Sequence, residues 1–497
     1  MSFGRSAVLA LLALAAAAPL LRAETYYLDS VGGDDRRSGT SPQAAWRTVG
    51  RANRDWLLFR RGDDLLLKRG CEFTDATLII RHGGTRSNPA VIGAYGQGPK
   101  PIIDGGPRRL RGGLLCITPG IGHIVIQDLV VRNVLQANES GITVGAPRMT
   151  GITISRVGVD HVGNNGIVLF QINTYVVEGC AVSDCGNSGI AVIGSASSPI
   201  KNGLIRGNTV RGAAHNDGIT LHVGRTAADR VGPNHRLIDN VGSDCAEQAF
   251  DITSGSRISL VHNESFGNRD SGILIGHCAD VVVDRHFSYG DGTVGIVVGE
   301  ARRVRIQNSV IYDAASHQLT IGRASSVEIY QNTIIHGPAS RGSIIDIDGQ
   351  ARGLAFKNNI VASTQTSRPE RFVRYLGEAT YANTRSDFSN NLYWRPDAGA
   401  GSDDRIFYDA AKGLCDLRAW ALAYRAESGS AFADPRFELS SPTDFSLRPD
   451  SPAVEGGAGL GIGTDFVGRK RPRGRFPDIG AYEFEPRTEP ERAPGVR

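Results

Sequence analysis

Gly272-Ile-Leu-Ile and Gly295-Ile-Val-Val stand 23 residues apart, and the same short apolar phrase recurs through the middle of the chain. Upstream it reads Gly141-Ile-Thr-Val, Gly166-Ile-Val-Leu, Gly189-Ile-Ala-Val, Gly218-Ile-Thr-Leu and Ala249-Phe-Asp-Ile, and downstream Gln318-Leu-Thr-Ile and Ser343-Ile-Ile-Asp. Measured at the first apolar residue (142, 167, 190, 219, 250, 273, 296, 319, 344), the steps are 25, 23, 29, 31, 23, 23, 23 and 25. A period of this length marks a solenoid. A second family of short strands lies between these: Ile124-Val-Ile, Ile152-Thr-Ile, Ile258-Ser-Leu, Val281-Val-Val, Val304-Arg-Ile and Val327-Glu-Ile, most followed by a polar turn. Alternate residues of such strands point inward and stack on their counterparts one coil away.

Alternative folds fail on spacing. A barrel or doubly wound sheet needs helices of about ten residues or more between strands, and none fits between 116 and 363. Propeller blades need about twice this period. The expected fold is all-β: a right-handed parallel β-helix of about nine to eleven coils, with an N-terminal cap and an irregular C-terminal segment. Five regions follow: 1–23, a secretory signal; 24–115, cap and first coils; 116–363, the repeats; 364–484, a C-terminal loop region and closing segment; and 485–497, a Pro-, Glu- and Arg-rich disordered tail. Residues 42–58, with Trp46, Val49, Ala52 and Leu57, suit an amphipathic capping helix that shields the first strand edges.

Composition narrows the setting. The opening has Arg5, an apolar run from Ala7 to Leu21, and Leu21-Arg22-Ala23 before Glu24, so cleavage after Ala23 and a secreted or periplasmic protein are expected. No later apolar run is long enough to span a bilayer, so no membrane partner is expected. Seven cysteines, an odd number without a CxxC pair, do not suggest zinc, and several sit inside repeats where a thiol fills core. The net charge of +4 leans mildly toward acidic partners. Basic residues are mostly Arg, without a basic run or interleaved aromatics, so nucleic acid is excluded. A monomer is expected.

Both ends of the chain carry family features. Tyr26-Tyr-Leu-Asp-Ser-Val-Gly-Gly-Asp-Asp, Ser38-Gly-Thr-Ser-Pro, Trp46-Arg-Thr, Lys68-Arg-Gly and Ile92-Gly-Ala-Tyr-Gly resemble the start of secreted bacterial β-helix proteins of the polysaccharide lyase and glycoside hydrolase type. Asp434-Pro-Arg-Phe, Asp444-Phe-Ser-Leu-Arg-Pro-Asp-Ser-Pro-Ala and Asp478-Ile-Gly-Ala-Tyr-Glu resemble their closing segment. The resemblance covers nearly the whole mature chain and implies the architecture, while the substrate is not implied, because members sharing these motifs cleave different glycans or have no known activity. It does not single out one reaction, because these motifs mark ends and caps, and no family catalytic motif matches residue by residue.

Columns down the solenoid supply site candidates. Three places before each reference residue stand Glu139, Asn164, Asn187, Asn216, Glu247, Asp270 and Thr293; two places before, Ser140, Asn165, Ser188, Asp217, Gln248 and Ser271. One place after, facing out, stand Thr143, Val168, Ala191, Thr220, Asp251 and Leu274, and three places after, His222, Thr253 and Gly276. Asn216, Asp217, His222, Glu247, Asp251 and Asp270 thus gather on three consecutive coils beside the longest repeats, where loops that form grooves emerge. Turn asparagines such as Asn263, Asn308 and Asn332 are read as structural ladders.

Two chemistries suit this patch. In a lyase acting by β-elimination on a uronate-containing glycan, Asp217, Glu247 and Asp251 would hold Ca²⁺ against the sugar carboxylate, and His222 or an Arg such as Arg225 or Arg257 would be the base. In a hydrolase, two of Asp217, Glu247, Asp251 and Asp270 would act as acid and as base or nucleophile. Arg225, His277 and Asn216 are expected to touch substrate. No organic cofactor is expected. The mild basic charge and abundant Arg favour the lyase narrowly, with the hydrolase next and a non-catalytic glycan-binding β-helix third.

Overall fold

A computed structural model describes residues 23–106, 112–194, 200–222, 231–364, 371–396 and 405–485. The signal-like opening up to Arg22, Arg225 and the tail after Glu485 lie outside the described residues.

Short strands and tight corners decide the architecture. The strands build three long sheets of 14 strands each, almost wholly parallel, and the chain visits them in rotation. Sheet I contains the Gly-Ile strands, such as Ile142–Val144, Ile219–His222 and Phe250–Ile252; sheet II contains the second family, such as Met149–Ser155 and Cys278–Asp284; sheet III contains Gly158–Val162 and its equivalents. This is the parallel β-helix expected from the repeat, and one coil is one turn through all three sheets.

Register confirms the inward column. Ile142, Ile167, Ile190, Ile219, Phe250, Ile273, Ile296 and Leu319 pair in succession and are 0% exposed. Each such side chain gains about 1.5–3 kcal/mol from burial. At the next coil the register shifts by one: Leu319 pairs with Ile345 rather than with Ile344. That shift turns Asp346 outward opposite Thr320.

Buried asparagines tie the turns between sheets II and III. Asn208 Nδ2 donates to Asn240 Oδ1 at 2.9 Å, and Asn240 Nδ2 to Asn263 Oδ1 at 2.9 Å. A second ladder runs Asn332, Asn359, Asn391 at 3.0 and 3.2 Å. The remaining amide protons go to backbone carbonyls one coil back, for example Asn240 to Ile205 O. Six of the seven cysteines are buried and all are free thiols, so they fill core and form no bridge.

The ends differ from the expected simple caps. Residues 42–58 form the α-helix Val49–Arg54 between two single-turn helices; Trp46, Val49 and Ala52 are buried, while Leu57 faces solvent. The coils also continue past 363 through Val373–Tyr375, Asp387–Ser389, Leu392–Trp394 and Phe407–Asp409, because apolar residues keep the inward positions after the Gly-Ile phrase is lost. The helix Leu417–Tyr424 closes that end, with buried Trp420 stacked 5.1 Å from Phe407. Beyond it the chain folds back along sheet III: Phe437, Phe445, Leu447 and Ile479 cover Val310, Ile335 and Ile360. Sheet III thereby has its own outer core. Among the described residues no helix is long and apolar enough to cross a membrane.

Candidate active site

Asp217, Thr220 and His222 come from the start and the strand of one sheet I coil, and Asp251 and Thr253 from the next. Parallel register sets Thr220 beside Asp251, both facing out. Gly218 permits the tight approach at the strand's start, since a Cβ there would stand 2.7 Å from Ala249 O and 3.2 Å from Cys245 Sγ.

Asp251 is 4% exposed, and one of its oxygens is crowded with donors. Oδ2 accepts from Thr220 Oγ1 at 3.2 Å and Thr253 Oγ1 at 3.3 Å and lies 3.1 Å from His222 Nδ1. Its other oxygen, Oδ1, is buried and has no hydrogen-bond partner among the described residues. A carboxylate atom of that kind is costly unless a ligand completes it. His222 Nδ1 also lies 2.9 Å from Thr253 Oγ1, and its half-exposed ring holds its proton above the ordinary value because of the bond to Asp251.

Asp217 is 2% exposed and accepts the backbone N–H of Gln248 at 3.1 Å. Burial, then the negative charge of Asp251, push its carboxyl up to about 8, against the opposing Gln248 bond. At neutral pH it therefore carries a proton. A buried carboxyl raised in this way beside a second carboxyl is an arrangement from which acid and base roles arise.

The other expected residues divide. Glu247 is exposed at the rim, where its charge also raises Asp217. Asn216 is half-buried beside it, its carbonyl accepting the Glu247 N–H at 3.3 Å. Asp270 stands one coil on, but its carboxylate is taken by Gln248 Nε2 at 2.6 Å, Ser271 Oγ at 3.3 Å and Thr293 Oγ1. It serves that turn rather than the pair. Arg257 and His277 are corrections: both sit at left-handed corners with φ 51°, which turn them out of sheet I. Arg257 Nε donates to Asn234 Oδ1 at 2.8 Å, and His277 pairs with Glu300 at 3.1 Å. Closeness in sequence misplaced them because one corner separates faces of the solenoid.

The calcium set does not assemble either. Among the described residues, the one group of three ligand-type side chains whose atoms all approach within 4.8 Å is Asp160, His161 and Asp184, on the outside of sheet III. Asp217, Glu247 and Asp251 do not form such a group: Asp217 and Glu247 stand in the turns before their strands and Asp251 within a strand.

Sequence reasoning also passed over Thr220 and Thr253, whose hydroxyls orient Asp251, although both stood in the columns that it read. A further outward set went unseen: Asp346, bound by Arg374 Nε at 3.0 Å and Nη2 at 2.6 Å, with His317 Nε2 3.4 Å away. Taking Ile345 as the reference of its coil would have placed Asp346 in the column of Asp251.

Comparison with known proteins agrees with the architecture. An 82-residue stretch is 39% identical to the lacto-N-biosidase of Bifidobacterium longum subsp. longum, covering 16% of this chain and 5% of that protein. Another, of 119 residues, is 29% identical to the probable pectate lyase 9 of Arabidopsis thaliana, covering 24% of this chain and 23% of that one. The chain thus spans under a quarter of the length of either relative. Among solved structures, the A-module of the mannuronan C-5 epimerase AlgE6 of Azotobacter vinelandii superposes with a TM-score of 0.50 at 14% identity, over 82% of this chain and 98% of that module. The family model described as a right handed beta helix region matches residues 140–284 and 231–392, together just over half of the chain, and this protein belongs to that family.

Proposed function

We propose that this chain is a carbohydrate-active enzyme that hydrolyses a glycosidic bond, with Asp217 as general acid and Asp251 as base or nucleophile. One observation carries the reading: a buried carboxyl that keeps its proton up to about 8 lies within electrostatic reach of a buried carboxylate with an unpartnered oxygen. Asp217 gives its proton to the glycosidic oxygen as the C–O bond breaks. Asp251 Oδ1 either removes a proton from the attacking water or attacks the anomeric carbon itself, the separation of the two carboxyls deciding which. Thr220, Thr253 and His222 hold Asp251 by Oδ2 and leave Oδ1 directed to that task.

The β-elimination reading keeps one support. His222 stands half-exposed beside Asp251, whose hydrogen bond makes its ring hold a proton more tightly, where a positive charge would neutralise a uronate carboxylate while Asp251 takes the C5 proton. Acidic polysaccharides therefore belong in the substrate panel. We propose further that the protein is exported, a reading supported by the leader-like sequence from Arg5 to Ala23.

The test incubates the mature protein with neutral and acidic polysaccharides, with and without chelator, while new reducing ends and the ultraviolet absorbance of unsaturated uronates are followed together. Reducing ends without absorbance, insensitive to chelator and abolished in Asp217→Asn, establish the hydrolase. Absorbance rising in step with chain cleavage moves the assignment to the lyase. Binding without either signal makes the chain a glycan-binding module.

A further inference from the structure

The outer face of sheet I carries the Thr–Asp–His combination twice. Thr220 faces Asp251 across one coil step with His222 beside it, and Thr320 faces Asp346 across another with His317 beside it. The two aspartates stand in one column, four coil steps apart through Leu274, Val297 and Thr320. At about 4.8 Å per step that is roughly 19 Å.

Their surroundings differ in a way that separates their roles. Both oxygens of Asp346 are held by Arg374, so its charge is neutralised in place; among the described residues no guanidinium bonds Asp251. His317 Nδ1 donates to Ser343 O at 2.8 Å, which turns Nε2 toward Asp346. Gly342 makes room for that ring, since a Cβ there would stand 2.7 Å from His317 Cε1. Thr320 Oγ1 is buried without a partner. The distal set offers a fixed carboxylate–guanidinium pair and an unmatched hydroxyl, the hydrogen-bonding groups that grip sugar hydroxyls, and no free acid or base.

Between the two sets the surface is kept low. Gly276, Gly299 and Gly322 succeed one another in the column that His222 and Thr253 begin, in register from coil to coil. None is held there by a left-handed backbone or by crowding: a Cβ at Gly299 meets nothing closer than Gly322 O at 3.8 Å. The glycines thus leave a trough, floored on its other side by half-buried Leu274 and Val297, an apolar strip of the kind that packs against sugar ring faces.

We propose that this trough seats one glycan chain of several sugar units, its scissile bond at Asp217 and Asp251 and a remote unit gripped by Asp346, Arg374 and Thr320. The proposal rests on the glycan-cleaving reading above and adds that the enzyme discriminates by chain length. Arg374 and Asp346 act on substrate binding away from the reacting atoms.

The test compares disaccharide with hexasaccharide in the laminari-, cello-, oligogalacturonate and oligomannuronate series. Gly299→Leu obstructs the trough without backbone strain, and Arg374→Gln loosens the distal grip. In both variants the ratio of kcat/KM for hexasaccharide over disaccharide is expected to fall about tenfold. Calorimetric affinity of Asp217→Asn for the hexasaccharide is expected to fall by the same factor when either change is added. Equal loss at both lengths, or no loss at either, overturns the length-reading trough while leaving the cleaving pair intact. If the unmodified protein cleaves no series and Asp217→Asn binds none, the glycan reading fails and takes the trough with it.

Discussion

Asp217 and Asp251 are the same chemical group one coil apart, and the different duties proposed for them rest on their surroundings alone. Burial and a neighbouring negative charge keep the proton on Asp217; three donors around Oδ2 hold Asp251. Replacing Asp217 by Asn removes the transferable proton, and kcat is expected to fall about 10²–10⁴-fold, with loss of the alkaline limb expected of the unmodified protein near pH 8. The same substitution has an opposite effect on stability. Between its ordinary value of 3.8 and its folded value of about 8, Asp217 binds a proton that the unfolded chain lacks, so stability declines as pH rises across that window. Asp217→Asn is therefore expected to be more stable than the unmodified protein at alkaline pH, by on the order of 5 kcal/mol, and to match it in acid; a pH series of melting curves measures this. Asp251→Asn is expected to remove activity as well, while returning Asp217 toward the ordinary carboxyl range, because the second cause of its shift is gone. A carboxyl resonance of Asp217 that still titrates near pH 8 in that variant would mean that burial alone sets its value.

Single coils gain strength from what repeats between them. Asn240 is 0% exposed and bonded to Asn208, Asn263 and Ile205 O, so Asn240→Ala strands buried groups on both neighbouring coils. A loss of about 2–4 kcal/mol is expected, read as a lower denaturant midpoint with an unchanged m-value. These elements also show what can be read from residues alone. The strands were legible because Gly-Ile phrases repeat in register, and Asp217, Asp251 and His222 because they occupy fixed offsets from an inward residue. Arg257 and His277 were not, since a left-handed corner sends a side chain to another face without leaving a period in the sequence. Asp346 was hidden by the single register shift at Ile345. The raised carboxyl of Asp217 was beyond reach for a different reason: it depends on burial and on a charge contributed by another coil, neither of which is local.

At the scale of the molecule, a solenoid with outward apolar residues must hide them or associate. Sheet III carries Val310, Ile335 and Ile360 on its outer side, all 0–1% exposed because Phe437, Phe445, Leu447 and Ile479 of the returning C-terminal segment lie over them. That segment is itself anchored by the buried ion pair of Arg471 with Glu483 at 3.1 Å. The coils do not need it for their backbone pairing, which runs through their own strands. Ending the chain at residue 433 is therefore expected to leave the β-sheet circular dichroism largely in place and to uncover an apolar strip along sheet III. Strips of that kind drive association. Light scattering is expected to show dimers or larger species for the shortened chain and a single species for the full chain. Activity per chain should persist, because the pair Asp217–Asp251 stands on sheet I, away from the covered face. A shortened protein that is inactive yet monodisperse would instead make the returning segment part of the catalytic arrangement.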